Sequence, residues 1–206
     1  MPHVSDIAAR RVIAVASGVG GGKSTLVQAL AQALGERDVL AFDHFEEMTE
    51  RPLAEACDWM LSGADPERLR VPGLSQALAR LKAGHAVQDP LTGAQLAPRQ
   101  HVIFETPFGR WHAESGRYID TLVWIDTPLD IALARKVRQL VATFDGPPAS
   151  LAPWLREYLA NYLEGVEALL RVQRERVRPG ADIVVDGLAG PEVVARQVVK
   201  ALSARA

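Results

Sequence analysis

Residues Val12–Leu26 read VIAVASGVGGGKSTL, and their order decides the fold. Val12–Ala16 is apolar throughout, as a parallel strand covered on both faces requires. The run breaks into Ser17-Gly18-Val19-Gly20-Gly21-Gly22-Lys23-Ser24-Thr25. Leu26, Leu30 and Leu34 then recur at helical spacing until Gly35 stops the pattern. Strand, glycine loop and helix together let backbone N–H groups turn inward and hold a phosphate at a helix N-terminus. In that reading Gly18, Val19, Gly20, Gly21, Gly22, Lys23, Ser24 and Thr25 form the nest. Lys23 reaches the β- and γ-phosphates of ATP, and the Ser24 hydroxyl holds Mg2+. The spacing departs from G-x-x-x-x-G-K-[ST] at one place. Ser17 stands where the first glycine is usual, and Gly18 comes one residue late.

The rest of the composition suits such a domain. A chain of 206 residues with 48% hydrophobic residues fits one α/β domain with a packed interior, or a core domain with one insertion. A net charge of −2 leaves no bulk electrostatic case for nucleic acid. Cys57 is the only cysteine, which excludes an intramolecular disulfide and a cysteine zinc site. A reducing cytoplasm is the expected compartment. Met1–Arg11 lacks the apolar core of a signal peptide, and no run approaches the ~20 apolar residues of a membrane span. Composition therefore points to no nucleic-acid and no membrane partner. Monomer and homodimer both stay open.

Working outward, Val39–Phe42 reads as a second strand ending on Asp43. Residues 51–84 read as helical, with Pro52 at a first helical position and Leu74, Leu78 and Leu81 on a later apolar stripe. Residues 85–100 read as a loop with turn signals at Asp89-Pro90 and Thr92-Gly93, where a short hairpin fits. A third strand, His101–Phe104, ends on Glu105, and a fourth, Leu122–Ile125, ends on Asp126. Thr127-Pro128-Leu129-Asp130 reads as a capping box opening a helix that turns Ile131, Ala134, Val137 and Val141 inward. A long helix carries Trp154, Tyr158 and Tyr162 as core, then Arg171, Arg174, Arg176 and Arg178 as a solvated end. Asp182–Val185 is a fifth strand ending at Asp186-Gly187, and a last helix starts near Pro191.

Strands alternating with helices make a doubly wound parallel sheet, and ligands bind beyond the carboxyl ends of such strands. Asp43, Glu105 and Asp126 all end strands, so they are expected to converge near Lys23. Phosphoryl transfer needs a phosphate cradle, a divalent ion, an acceptor held in line and added positive charge. A carboxylate can take the acceptor's proton, another can hold Mg2+, and Arg135, Lys136 or Arg138 can supply charge from a closing lid.

These stretches resemble the uridine kinase and phosphoribulokinase family of P-loop kinases, which also contains pantothenate kinase and nicotinamide riboside kinase. VASGVGGGKST, FDHFEE, VIFETPFG, WIDTPLDIALARKVRQ and ADIVVDG carry the resemblance over about residues 11–200. It implies an α/β P-loop NTPase fold, with a five-stranded parallel sheet in the order 2-3-1-4-5, helices on both faces and a lid. One domain would cover 1–206, with 44–100 forming most of the acceptor site and 135–152 the lid. The implied activity is transfer of the ATP γ-phosphate to a hydroxyl of a nucleoside, sugar, sugar phosphate or vitamin-like acceptor. Asp43 falls on the base, and Glu105 falls near metal and acceptor. Arg135 and Arg138 fall on the phosphate-contacting lid arginines, and Asp186, Gly187 and Leu188 fall beside the adenine. His44, Asp89 and Arg110 are further acceptor-binding candidates. The Tyr and His-x-Arg by which uridine kinases read a nucleoside are missing from residues 84–100. Two other readings stand beside this one. One is a nucleotide-binding regulatory ATPase without a small-molecule acceptor. The other is a kinase acting on a macromolecule.

Overall fold

The computed structural model describes residues 10–47 and 53–205. Along the chain lie β1 (Arg11–Ala16), α1 (Lys23–Leu34), β2 (Val39–Ala41), α2 (Leu53–Leu61) and α3 (Leu74–Lys82). The hairpin β3 (Val87–Gln88) and β4 (Gln95–Leu96) follows, then β5 (His101–Thr106), α4 (Ala113–Gly116) and β6 (Thr121–Asp126). The remainder is α5 (Leu129–Ala142), α6 (Leu151–Asn161), α7 (Glu167–Val177), β7 (Ile183–Asp186) and α8 (Pro191–Ser203). Residues 1–9 and Pro52 lie outside the described residues.

The main sheet is parallel throughout, in the order β2-β5-β1-β6-β7. With the hairpin strands set aside, this is the expected 2-3-1-4-5. Successive β1 side chains enter opposite cores, as the two-residue period of a strand dictates. Val12, Ala14 and Ala16 pack with Phe104, Leu122 and Trp124 beneath Leu78 of α3 and Val177 of α7. Ile13 and Val15 pack with Ile103 and Val123 beneath Leu26 and Leu30 of α1 and Val194 and Val198 of α8. Both faces are thus covered, and all the carboxyl strand ends open on one edge.

Carboxylates tie down the opposite edge. Glu36, just beyond the Gly35 stop of α1, is 6% exposed and accepts the N–H groups of Arg99, Gln100 and His101 at 2.8, 2.7 and 2.7 Å. Burial would raise its pKa, but these three donors outweigh it and hold the carboxyl below its ordinary value. The staple locks the end of α1 to the start of β5. Asp120 accepts the Val12 N–H at 2.8 Å and Lys82 Nζ at 2.6 Å. Asp182 accepts the Leu122 N–H at 2.7 Å.

Several local expectations are corrected. β2 stops at Ala41, because Phe42 turns into the core edge-on to Phe108 and His112, and Phe42–His44 becomes a 3-10 turn. The two apolar stripes of residues 53–84 form two helices as expected, with a 3-10 turn at Pro66–Arg68 between them. No capping box forms at α5: Pro128 precedes its first residue without a side-chain cap, and the Thr127 hydroxyl donates to Gly21 O at 3.0 Å instead. Ala132 is the buried residue of α5, whereas Ala134 and Val141 are exposed. The first turns of α5 rest on the glycine loop, and the rest runs outward. α6 and α7 join through a π turn at Tyr162–Val166. Only Tyr162 of the aromatic stripe is buried; Trp154 and Tyr158 stack on each other, half-buried, next to Phe144.

Candidate active site

The glycine loop is held in shape from three sides. Gly20 has φ +74°, and a Cβ there would lie 2.1 Å from Ala132 O, so the loop can approach α5 only with glycine. Thr127, buried after β6, holds Gly21 O from the side. A Cβ on Gly187 would lie 1.8 Å from Thr127 Oγ1, and the Gly187 N–H donates to Asp126 O at 3.1 Å. One hydroxyl therefore sits where the glycine loop, the turn after β6 and the turn after β7 meet.

The Ser17 side chain points behind the nest. Its Oγ lies 3.0 Å from Gly18 O, and the residue is 1% exposed. Ser17 and Gly18 line a small void with Trp124, Leu129 and Leu170, away from the main cleft. Serine at this position therefore leaves the phosphate face of the loop clear.

The main cleft measures about 600 Å³. Val19–Leu26 form its floor, with Asp43 and Glu105 at one side and Arg135, Lys136, Arg138 and Gln139 of α5 at another. Asp186, Gly187, Ala189, Pro191 and Val194 border the remaining end. Lys23 Nζ donates to Ser17 O at 3.1 Å and Gly18 O at 3.4 Å. Its pKa is lowered, first by burial and also by Lys136, against the attraction of Asp43 and Glu105. Incoming phosphate oxygens would supply the anionic partner that burial denies this ammonium.

Ser24 Oγ donates to Glu105 Oε1 at 2.8 Å. The register explains the meeting: Glu105 is paired to Val15 and Ala41, between the strand that enters the loop and the strand that delivers Asp43. A hydroxyl and a carboxylate are hard oxygen donors, the kind Mg2+ takes when phosphates and water complete its shell. Among the described residues no cluster of three or more His, Cys, Asp or Glu could hold a metal alone.

Some expected residues stand elsewhere. Asp126 does not converge on Lys23: Arg174 reaches it at 2.9 Å and Arg178 at 3.2 Å. Those two arginines are thereby ion-paired, not a purely solvated helix end. Arg110 is turned to the opposite sheet edge, donating to Gly180 O at 2.9 Å and Asp182 Oδ2 at 2.7 Å. This clamp takes it out of the acceptor site. Asp89 is buried against His44 and its own turn, and neither residue lines the main cleft. Gly18 and Leu188 also lie off that surface; the Leu188 N–H donates to Asp186 Oδ1. Arg135 lines the cleft while donating to Gly187 O at 2.9 Å. Gln139, which lines the cleft, and Thr127, which holds the glycine loop, lie outside the site residues expected from the sequence. The spacing of Arg135, Arg138 and Gln139 on one helical face signals the first, and no sequence pattern signals the second.

No family model matches the chain, and no curated protein matches it. Solved structures do. A provisionally assigned fructose transport system kinase from Silicibacter sp. TM1040 matches with TM-score 0.56 and 19% identity, covering 88% of this chain and 92% of that one. Shikimate kinase from Acinetobacter baumannii, solved with shikimate, matches with TM-score 0.56 and 16% identity over 96% of both chains. A provisionally assigned uridine kinase from Bacillus stearothermophilus matches with TM-score 0.51 and 18% identity over 89% and 92%. The chain thus has the P-loop NTPase fold. Among the described residues no helix is long and apolar enough to cross a membrane.

Proposed function

We propose that the protein is an ATP-dependent phosphotransferase acting on a hydroxyl of a small molecule. One observation carries this reading: Lys23, Ser24, Glu105 and the exposed carboxylate of Asp43 share a single cleft. A nucleotide-binding switch has no need of an exposed carboxylate near the loop lysine beside the one that Ser24 meets. The likeness to shikimate kinase, and to the proteins provisionally assigned as a fructose transport system kinase and a uridine kinase, agrees with the reading.

The roles follow from the chemistry of the groups. The N–H groups of the glycine loop and Lys23 bind the β- and γ-phosphates. Ser24 and Glu105 would hold Mg2+, which supplies neutralising charge to the phosphates. Asp43 accepts the hydrogen bond of the acceptor O–H, orients its oxygen and takes its proton as that oxygen bonds to the γ-phosphorus. The bond from the γ-phosphorus to the bridging oxygen breaks, and ADP leaves. Arg135, Lys136 and Arg138 screen the charge that spreads over the moving phosphoryl group. Residues 135–152 serve as the lid that excludes water, and Asp186 and Gly187 border the base.

Asp43→Asn tests the reading. Acceptor-dependent ADP release should fall about 10²–10⁴-fold, the usual worth of a positioned base, while ATP affinity changes less than about threefold. Wild-type turnover in the folded variant overturns the assignment.

A further inference from the structure

α7 passes so close behind the glycine loop that the loop meets it without a side chain. A Cβ on Gly18 would lie 2.8 Å from Leu170 Cδ2 and 3.9 Å from Gln173 Oε1. Leu170, Gln173 and Val177 follow one another at helical spacing, and all three are buried. Val177 carries this face on to Gly109, where a Cβ would lie 2.9 Å from its Cγ1. The glycine that comes one residue late in the loop is thus the one that admits α7.

Gln173 is the polar member of that row. It is 3% exposed, and its Oε1 has no hydrogen-bond partner among the described residues. A buried amide oxygen without a partner costs the fold stability. The backbone beside it is unpaired in the complementary sense. Gly18 O already accepts from Ser17 Oγ at 3.0 Å, from the Gly21 N–H at 3.1 Å and from Lys23 Nζ at 3.4 Å. The Gly18 N–H makes no hydrogen bond among the described residues. An unused acceptor and an unused donor therefore lie next to each other, on the side of the loop away from the cleft.

Lys23 holds the same two residues from the cleft side, through Ser17 O at 3.1 Å and Gly18 O at 3.4 Å. In the kinase reading its ammonium turns to the phosphates when a nucleotide binds, and the start of the loop loses that anchor. We propose that Gln173 then takes over from behind: its Oε1 accepts the Gly18 N–H and fixes the start of the loop around the bound phosphates. Gln173 is a positioning residue and touches neither nucleotide nor acceptor. The proposal rests on the nucleotide-binding half of the kinase reading and needs no acceptor.

The test compares wild type with Gln173→Met, which keeps the length of the side chain and removes its amide. Without nucleotide, Tm should be about 2–6 °C higher in Gln173→Met, because the unpartnered amide is gone. Mg-ATP affinity, read by calorimetry, should be at least about fivefold weaker, as loss of one hydrogen bond predicts. The two changes run in opposite directions, whereas a side chain that only packs would lower Tm and leave affinity alone. Amide hydrogen exchange reads the bond itself. Saturating Mg-ATP should slow exchange at Gly18 at least about tenfold more in wild type than in Gln173→Met. A lower Tm (failure to fold included), an unchanged affinity, or Gly18 exchange that Mg-ATP slows equally in both proteins overturns the proposal and leaves the kinase reading standing. Wild type that binds Mg-ATP but releases ADP with no acceptor in a panel of small hydroxylated compounds overturns the kinase reading alone. Wild type that does not bind Mg-ATP overturns both.

Discussion

Glu36→Ala removes a carboxylate that three backbone N–H groups share at the far end of the sheet. Each charge-assisted bond of this kind contributes about 1.5–3 kcal/mol. One carboxylate pays the cost of desolvation once, so the three together are worth about 3–5 kcal/mol. In a chain of this size a loss of 1 kcal/mol lowers Tm by about 2–4 °C, so Tm should fall by about 10 °C. Glu36→Gln retains one acceptor oxygen and should lose about half as much. The pH dependence follows from the direction of the shift. The folded carboxyl titrates below its ordinary value of 4.5. Its stabilisation is therefore complete above the unfolded pKa and lost as pH falls through the folded one. The stability gap between wild type and Glu36→Gln should be constant from pH 7 to about pH 5 and shrink below that. Urea melts at several pH values measure it. A change under 0.5 kcal/mol in Glu36→Ala, or a gap that widens on acidification, refutes the reasoning.

Two further substitutions probe the loop. Gly20→Ala places a Cβ against Ala132 O at positive φ. Left-handed strain and overpacking together should cost about 3 kcal/mol, and relief by loop movement should weaken ATP binding at least about 100-fold, read by calorimetry. Ser17→Gly should leave ATP affinity within about twofold, because the Ser17 side chain faces Gly18 O and not the nest; a marked gain in affinity would mean that serine intrudes on the phosphate.

The sequence showed the phosphate loop and its two companion carboxylates plainly, and the reasons are local. A glycine run between an apolar strand and a helical stripe admits few other folds. Asp43 and Glu105 sit directly beyond strand patterns, so the sheet edge delivers them. Asp126 satisfies the same rule but meets Arg174 and Arg178. Those residues come from a helix some fifty positions later, and periodicity cannot say where that helix returns. Arg110 fails for a related reason: the 3-10 turn Gly109–Trp111 sends its guanidinium to the strand starts. Thr127 matched a capping pattern, but Gly21 O competes for its hydroxyl. Asp89 and His44 were legible as polar candidates near a turn. That they hold each other was not, because the pairing spans 45 residues.

The junction at Thr127 divides the molecule into parts of unequal freedom. On one side, three turns share a hydroxyl and two glycines that tolerate no added carbon. On the other, the corner next to Asp43 is made of a single 3-10 turn and a hairpin of two-residue strands. Variation on the second side need not disturb the first. A chassis of this kind lets a lineage exchange its cargo while inheriting its engine unchanged, and it gives an engineer the same division of labour: randomise the corner, leave the junction alone.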